Sequence, residues 1–139
     1  MVAPIFKFRN VKIRLDTTNP TFIYGVILYD TLNPNGTLAQ GVGVDEVSTV
    51  ILTVQISNLT GSTVNVGAYV QNSTTSTPPL IAGARTLVED YPLVARNAFD
   101  PLNGNLVLSA NDQLWIQTNV ANSCDVIISM LEIANATAT

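Results

Sequence analysis

The sequence has no histidine. A Ser-His-Asp triad, a Cys-His nucleophile and a histidine-ligated zinc are therefore all excluded. Its one cysteine, Cys124, allows no internal disulfide, which suits folding in a reducing compartment. Charged residues make up only 12% of the chain, about half the usual share for a soluble domain. Apolar residues reach 47%, so the high-charge, low-hydropathy signature of disorder is missing too. No apolar run is long enough for a membrane helix, and the opening MVAPIFKFRN lacks the apolar stretch of a signal peptide. Neither a membrane nor a secretory leader is expected.

What is present points to strands. Val (16), Thr (16) and Ile (11) are abundant, and branching at Cβ suits a pleated surface. Asn (14) favours turns. A chain of 139 residues can bury a core without a metal or disulfide, so a single domain over residues 1–139 is expected, with 1–4 and 134–139 as extended termini. Four Asn-x-Ser/Thr sequons, at Asn35, Asn58, Asn72 and Asn135, exceed little the two or three that such a composition gives by chance, roughly. The net charge of −4 disfavours nucleic acid as a partner. Low charge with high hydropathy also implies that some apolar surface meets another protein.

Along the chain, IFKFRNVKIRL (5–15) alternates but changes phase midway. Phe6 and Phe8 share one face, while Val11, Ile13 and Leu15 share the other. A β-bulge near Arg9–Asn10 would unite them on one buried face and turn Lys7, Arg9, Lys12 and Arg14 outward. TFIYGVILYD (21–30) is apolar on both faces and reads as a strand covered twice. Residues 31–46 read as a long Gly- and Asn-rich loop with room for a short strand. In VSTVILTVQIS (47–57), Val50, Leu52, Val54 and Ile56 are expected inside, with Thr49, Thr53 and Gln55 outside. Asn58–Thr63 then turns into a second alternating strand (64–71), and the two predict an antiparallel hairpin.

Residues 72–79 form a polar loop. ARTLVEDYPLVA (84–95) reads as an edge strand interrupted at Pro92. Three further strands follow, within 105–110, 113–119 and 124–133. About eight antiparallel strands predict an all-β, two-sheet β-sandwich, either jelly-roll or Ig-like.

Chemistry is sparse. Asp45-Glu46, Glu89-Asp90, Asp100 and Asp112 sit beside turns, where acids form and solvate bends; a glycosidase pair would need a defined separation that no pattern here supplies. Asp100–Asn105 gathers oxygen donors around Gly104, yet lacks the spacing of a calcium loop and equally suits an Asn-Gly turn. No metal or cofactor is expected. Tyr69 and Trp115 fall on outward phases, where rings could fill a partner's pocket or stack on a sugar; Trp115 could instead close one end of the core. Four of the six basic residues, Lys7, Arg9, Lys12 and Arg14, fall within eight positions, against an acidic remainder. They could dock on an acidic patch of another protein, or simply protect a strand edge.

Two segments carry a resemblance. VSTVILTVQISNLTGSTVNVGAYV resembles the central hairpin of small β-sandwich virion proteins of tailed bacteriophages. LVLSANDQLWIQTNVANSCDVIISMLEIA resembles their closing strands, in which a leucine, a small loop, an aspartate and a hydrophobic pair lead to a strand ending Ser-x-x-Glu-x. Here these are Leu108, Asn111-Asp112, Leu114-Trp115 and Ser129 to Ile133. The resemblance covers 47–71 and 105–134.

It implies a non-enzymatic structural protein of the virion, assembled in the host cytoplasm. Such a protein would decorate the capsid by bridging its subunits, as a homo-oligomer and most simply a trimer. A tail, neck, baseplate or fibre component is the alternative, and a carbohydrate-binding β-sandwich a further one. The partner would be the major capsid protein or another virion protein, with Phe6, Lys7, Phe8, Arg9, Lys12, Arg14, Tyr69 and Trp115 as candidate contacts.

Overall fold

The computed structural model describes residues 5–26, 44–73 and 83–136. The described residues form nine strands in order: β1 (Ile5–Leu15), β2 (Thr21–Gly25), β3 (Val44–Asn58), β4 (Val64–Asn72), β5 (Arg85–Leu93), β6 (Ala98–Phe99), β7 (Leu106–Leu108), β8 (Asp112–Thr118) and β9 (Cys124–Ala136). The described residues contain no helix. One sheet runs β1-β9-β3-β6, with β7 also on β3; the other runs β2-β8-β4-β5, and every pairing is antiparallel. The fold is an all-β sandwich.

Its topology decides between the two expected forms. The pairs β1·β9, β2·β8, β3·β7 and β4·β5 nest inside one another, as in a single long hairpin whose closed end is β4–β5. Rolling that hairpin brings β9 onto β3 and β8 onto β4, which completes both sheets. This is the jelly roll, with β6 and β7 together taking one strand position.

The rolling corrects the expected hairpin. β3 and β4 lie in different sheets, and the turn between them carries the chain across the sandwich. Asn58 builds that corner. Its amide donates to the carbonyls of Ser62 (2.7 Å) and Leu93 (3.0 Å), and its Oδ1 accepts from the Thr60 N–H (2.9 Å). Alternation shows that each strand has one buried face; it does not show which strand lies beside it.

The core lies between the sheets. Leu15, Ile51, Val54, Ile56, Leu108, Ile128 and Met130 enter from one side and Tyr24, Val66, Ala68, Leu114 and Ile116 from the other. Cys124 is buried here as a small apolar side chain. Two expected phases and one expected boundary change. β1 pairs with β9 without a break from Ile5↔Ala134 to Leu15↔Cys124, so it has no bulge. β3 instead carries a register shift between Ile51 and Thr53. Before that shift Thr49 and Ile51 point inward, and Val50 and Leu52 do not; after it Val54 and Ile56 do. β9 extends through Ala136, so residues 134–136 are strand rather than tail.

β5 is an edge strand, as Pro92 requires, although it continues through the proline to Leu93. Of the expected loops, residues 31–43 and 74–82 lie outside the described residues, as do 27–30 of the second apolar segment.

Candidate functional site

The straight register of β1 decides where its side chains go. Val11 and Leu15 are buried, so the odd positions face the core and the even ones face outward. Phe6 (61% exposed) and Phe8 (76%) therefore stand on the outer face of the sheet. Phe8 pairs with Leu131, Leu131 with Val50, and Val50 with Val107, which is 60% exposed. These four form an apolar row across β1, β9, β3 and β7. At the usual strand spacing the row is about 14 Å wide. Phe6 and Ile133 extend it by one step.

Polar character increases along the same face. Asn10 lies across from Ser129, whose hydroxyl donates to the Asn10 Oδ1 (2.8 Å). Lys12 follows, exposed and beside Ile127. Arg14 then forms a bidentate ion pair with Asp125, and that hydrogen bond and charge raise the guanidinium pKa above its ordinary value. The pair is exposed, so it contributes little to stability. Phe6, Phe8, Lys12 and Arg14 thus share one surface.

Lys7 and Arg9 do not share it. Lys7 has the inward phase but is exposed near the start of β1. Arg9 turns into the sandwich, with its side chain only 13% exposed, and its Nη1 lies 3.5 Å from the buried Glu132. The Arg9 guanidinium stands 5.8 Å from the centre of the Tyr24 ring, within cation–π range. Tyr24 donates its hydroxyl proton to Glu132 Oε2 (2.7 Å), so the 2.8 Å contact with Thr49 must have Thr49 as donor. Glu132 Oε1 has no hydrogen-bond partner among the described residues. This network was missed because the assumed bulge turned Arg9 outward. An unbroken odd phase from Arg9 through Leu15 is the signal that reveals it.

Trp115 is a correction of a different kind. Its phase does point away from the core, opposite to Leu114 and Ile116, yet the residue is fully buried. Phe22 meets its ring edge-on at 5.7 Å. Its indole N–H donates to Gln113 Oε1 (2.9 Å), which also accepts from Gln71 (2.9 Å). An outward phase on a strand does not mean exposure when neighbours on the same face, here Phe22 and Gln113, close around the side chain. Trp115 therefore offers no surface to a sugar or a partner.

Tyr69, across from Trp115 on β4, stays partly exposed. Its ring lies over Gly67, where an added Cβ would stand 2.9 Å from the ring carbon Cζ. Glu89, Asp90, Gln117 and Asn119 line the same small cleft. Burial, and after it the charges of Glu89 and Asp90, raise the Tyr69 phenol above its ordinary value.

The other turn acids have local roles. Asp100 accepts the backbone N–H of Leu102 (2.8 Å) and of Val54 (3.3 Å). Asp112 accepts from the Ser109 N–H (2.9 Å) and the Asn72 amide (3.0 Å). No group of three or more metal-capable side chains occurs among the described residues. The side chains of Asp45 and Glu46 lie outside them.

No family model matches the chain, and no curated protein matches it significantly. Among solved structures, the chain is similar to the Eiger TNF of S. frugiperda at 13% identity. That alignment covers 95% of this chain and 94% of the other, with a TM-score of 0.32. At that score the likeness carries no argument about function.

Proposed function

We propose that this protein is a non-enzymatic structural component of a tailed-phage virion that reinforces the capsid shell. It would dock through the outer face of the β1-β9-β3-β7 sheet. The observation that carries this reading is the row Phe8–Leu131–Val50–Val107, with two of its four members well exposed. Large apolar side chains gathered on one flat sheet face are costly in water and gain free energy when a partner covers them. Lys12 and the Arg14–Asp125 pair at the far end of the face supply a polar rim. The resemblance of the closing strands to virion proteins supplies the partner class. Repetition over a lattice converts a modest contact into high avidity, and self-association into a closed homo-oligomer, most simply a trimer, would add to it.

The test is co-sedimentation with shells assembled from the capsid protein of the same virus. Saturable binding is expected, and the double substitution Phe8→Ser/Val107→Ser should abolish it while the protein keeps its thermal transition. Absence of binding, or immunogold label confined to the tails of intact particles, overturns the capsid reading.

A further inference from the structure

The geometry points to a second surface site, a saccharide platform on the outer face of the other sheet, in which Tyr69 stacks on the ring of a neutral pyranoside. It is independent of the capsid reading, because the two sites stand on opposite faces of the sandwich. The platform begins with a glycine. Gly67 lies two residues before Tyr69 on the same face of β4, and only the missing Cβ lets the tyrosine ring settle over the strand. A ring whose phenol end is seated on the glycine loses little side-chain freedom on binding, and an aromatic face suits the apolar face of a sugar.

The edge strand then brings polar groups to the ring. Val66 pairs with Tyr91 and Ala68 with Val88, so β5 has one residue more than β4 between these pairs, and Glu89 and Asp90 occupy the bulge. Asp90 has φ of 50°, left-handed backbone that is uncommon outside glycine. Bulges of this kind re-aim side chains. Both carboxylates line the Tyr69 cleft.

Opposite them stand two amides. Gln117 donates its N–H to the Thr18 carbonyl (2.9 Å), which fixes the side chain and leaves its Oε1 as an acceptor. Asn119 accepts the Asn65 N–H at its Oδ1 (2.9 Å), which leaves its NH2 as a donor. The cleft therefore offers a ring face, several acceptors and an anchored donor, a set that matches the hydroxyls of a pyranose. Glu89 and Asp90 also set the specificity. Their charges would repel a sialoside or a uronide, which selects neutral sugars.

The experiment uses the whole protein with methyl β-glucopyranoside, methyl β-galactopyranoside and methyl N-acetyl-β-glucosaminide, and with a methyl sialoside as the anionic control. Backbone and aromatic shifts are followed by NMR during each titration. At least one neutral glycoside should shift Gly67, Tyr69, Gln117 and Asn119 together, and the sialoside should not. Tyr69→Phe should keep binding, and Tyr69→Ala should weaken it about tenfold or more. The wild-type shift map stands even if Tyr69→Ala fails to fold. Absence of shifts with all three neutral glycosides would reduce the tyrosine to a cover for Gly67 and overturn the site. Equal binding of the sialoside, or binding that survives a folded Tyr69→Ala, would also overturn it.

Discussion

Glu132 is the residue on which the interior chemistry turns. Its carboxylate is buried, one oxygen is held by Tyr24 and the Arg9 guanidinium, and the other lacks a partner among the described residues. Removing one member of a buried ion pair leaves the other charge desolvated, which costs far more than losing an exposed pair. Arg9→Met should accordingly lower stability by about 3 kcal/mol. Arg14→Met, which breaks only the exposed Asp125 pair, should stay within about 1 kcal/mol. Urea denaturation of the two variants checks the contrast, and similar midpoints would mean that Arg9 is not buried against Glu132.

Tyr69 supplies a second test at this scale. Its folded-state pKa is raised, so the unfolded chain loses the phenolic proton first as pH climbs. The neutral phenol favours the folded state, a contribution fully present below the unfolded value of about 10 and lost as pH rises through the folded one. Because burial is the leading cause, Asp90→Asn should lower the Tyr69 pKa only slightly. NMR titration of the ring carbons in both proteins measures it.

Neighbouring residues of one strand can have opposite fates, and β9 shows this best. It lies between β1 and β3, with Ile128 fully buried and Ile127 on the outer face beside Lys12. Ile128→Ala should cost about 3–4 kcal/mol through lost burial and a cavity. Ile127→Ala should cost about 1 kcal/mol or less, since solvent already reaches it. Equal losses in thermal denaturation would refute the face assignment. The faces of β9 were legible in the sequence, because Val126, Ile128 and Met130 alternate without interruption.

β1 and β3 were not so legible, for a physical reason. A bulge is a backbone event with no residue type of its own, so alternation shows that a phase has changed without showing why. In β1 the apparent change is an exposed apolar pair, Phe6 and Phe8, followed by the core face. In β3 the bulge is real, and it places Thr49 inside beside Tyr24. The same blindness to partners hid the Arg9–Glu132 pair and made β3 and β4 look like a hairpin. Trp115 was read on its correct face with its burial left open, because strand phase carries no information about which neighbours close around a side chain.

Across the whole molecule, the nested pairing sets an order for folding. β4 and β5 are closest in sequence, β3·β7 and β2·β8 lie progressively farther apart, and β1·β9 joins the two ends. Closing the outermost pair first would order the ends of a loop of more than a hundred residues before any contact rewards it; closing from β4·β5 outward makes each later loop effectively short. The pairs β3·β9 and β8·β4 form only once the long hairpin rolls, and they join its inner and outer parts. The transition state should therefore contain β4 with its neighbours and lack β1. Val66→Ala should then slow refolding, whereas Val11→Ala should leave refolding nearly unchanged and speed unfolding. Chevron plots of the two variants read this directly. Fast unfolding in Val66→Ala with slow refolding in Val11→Ala would mean that the ends of the chain meet first, and that the roll closes inward from β1·β9.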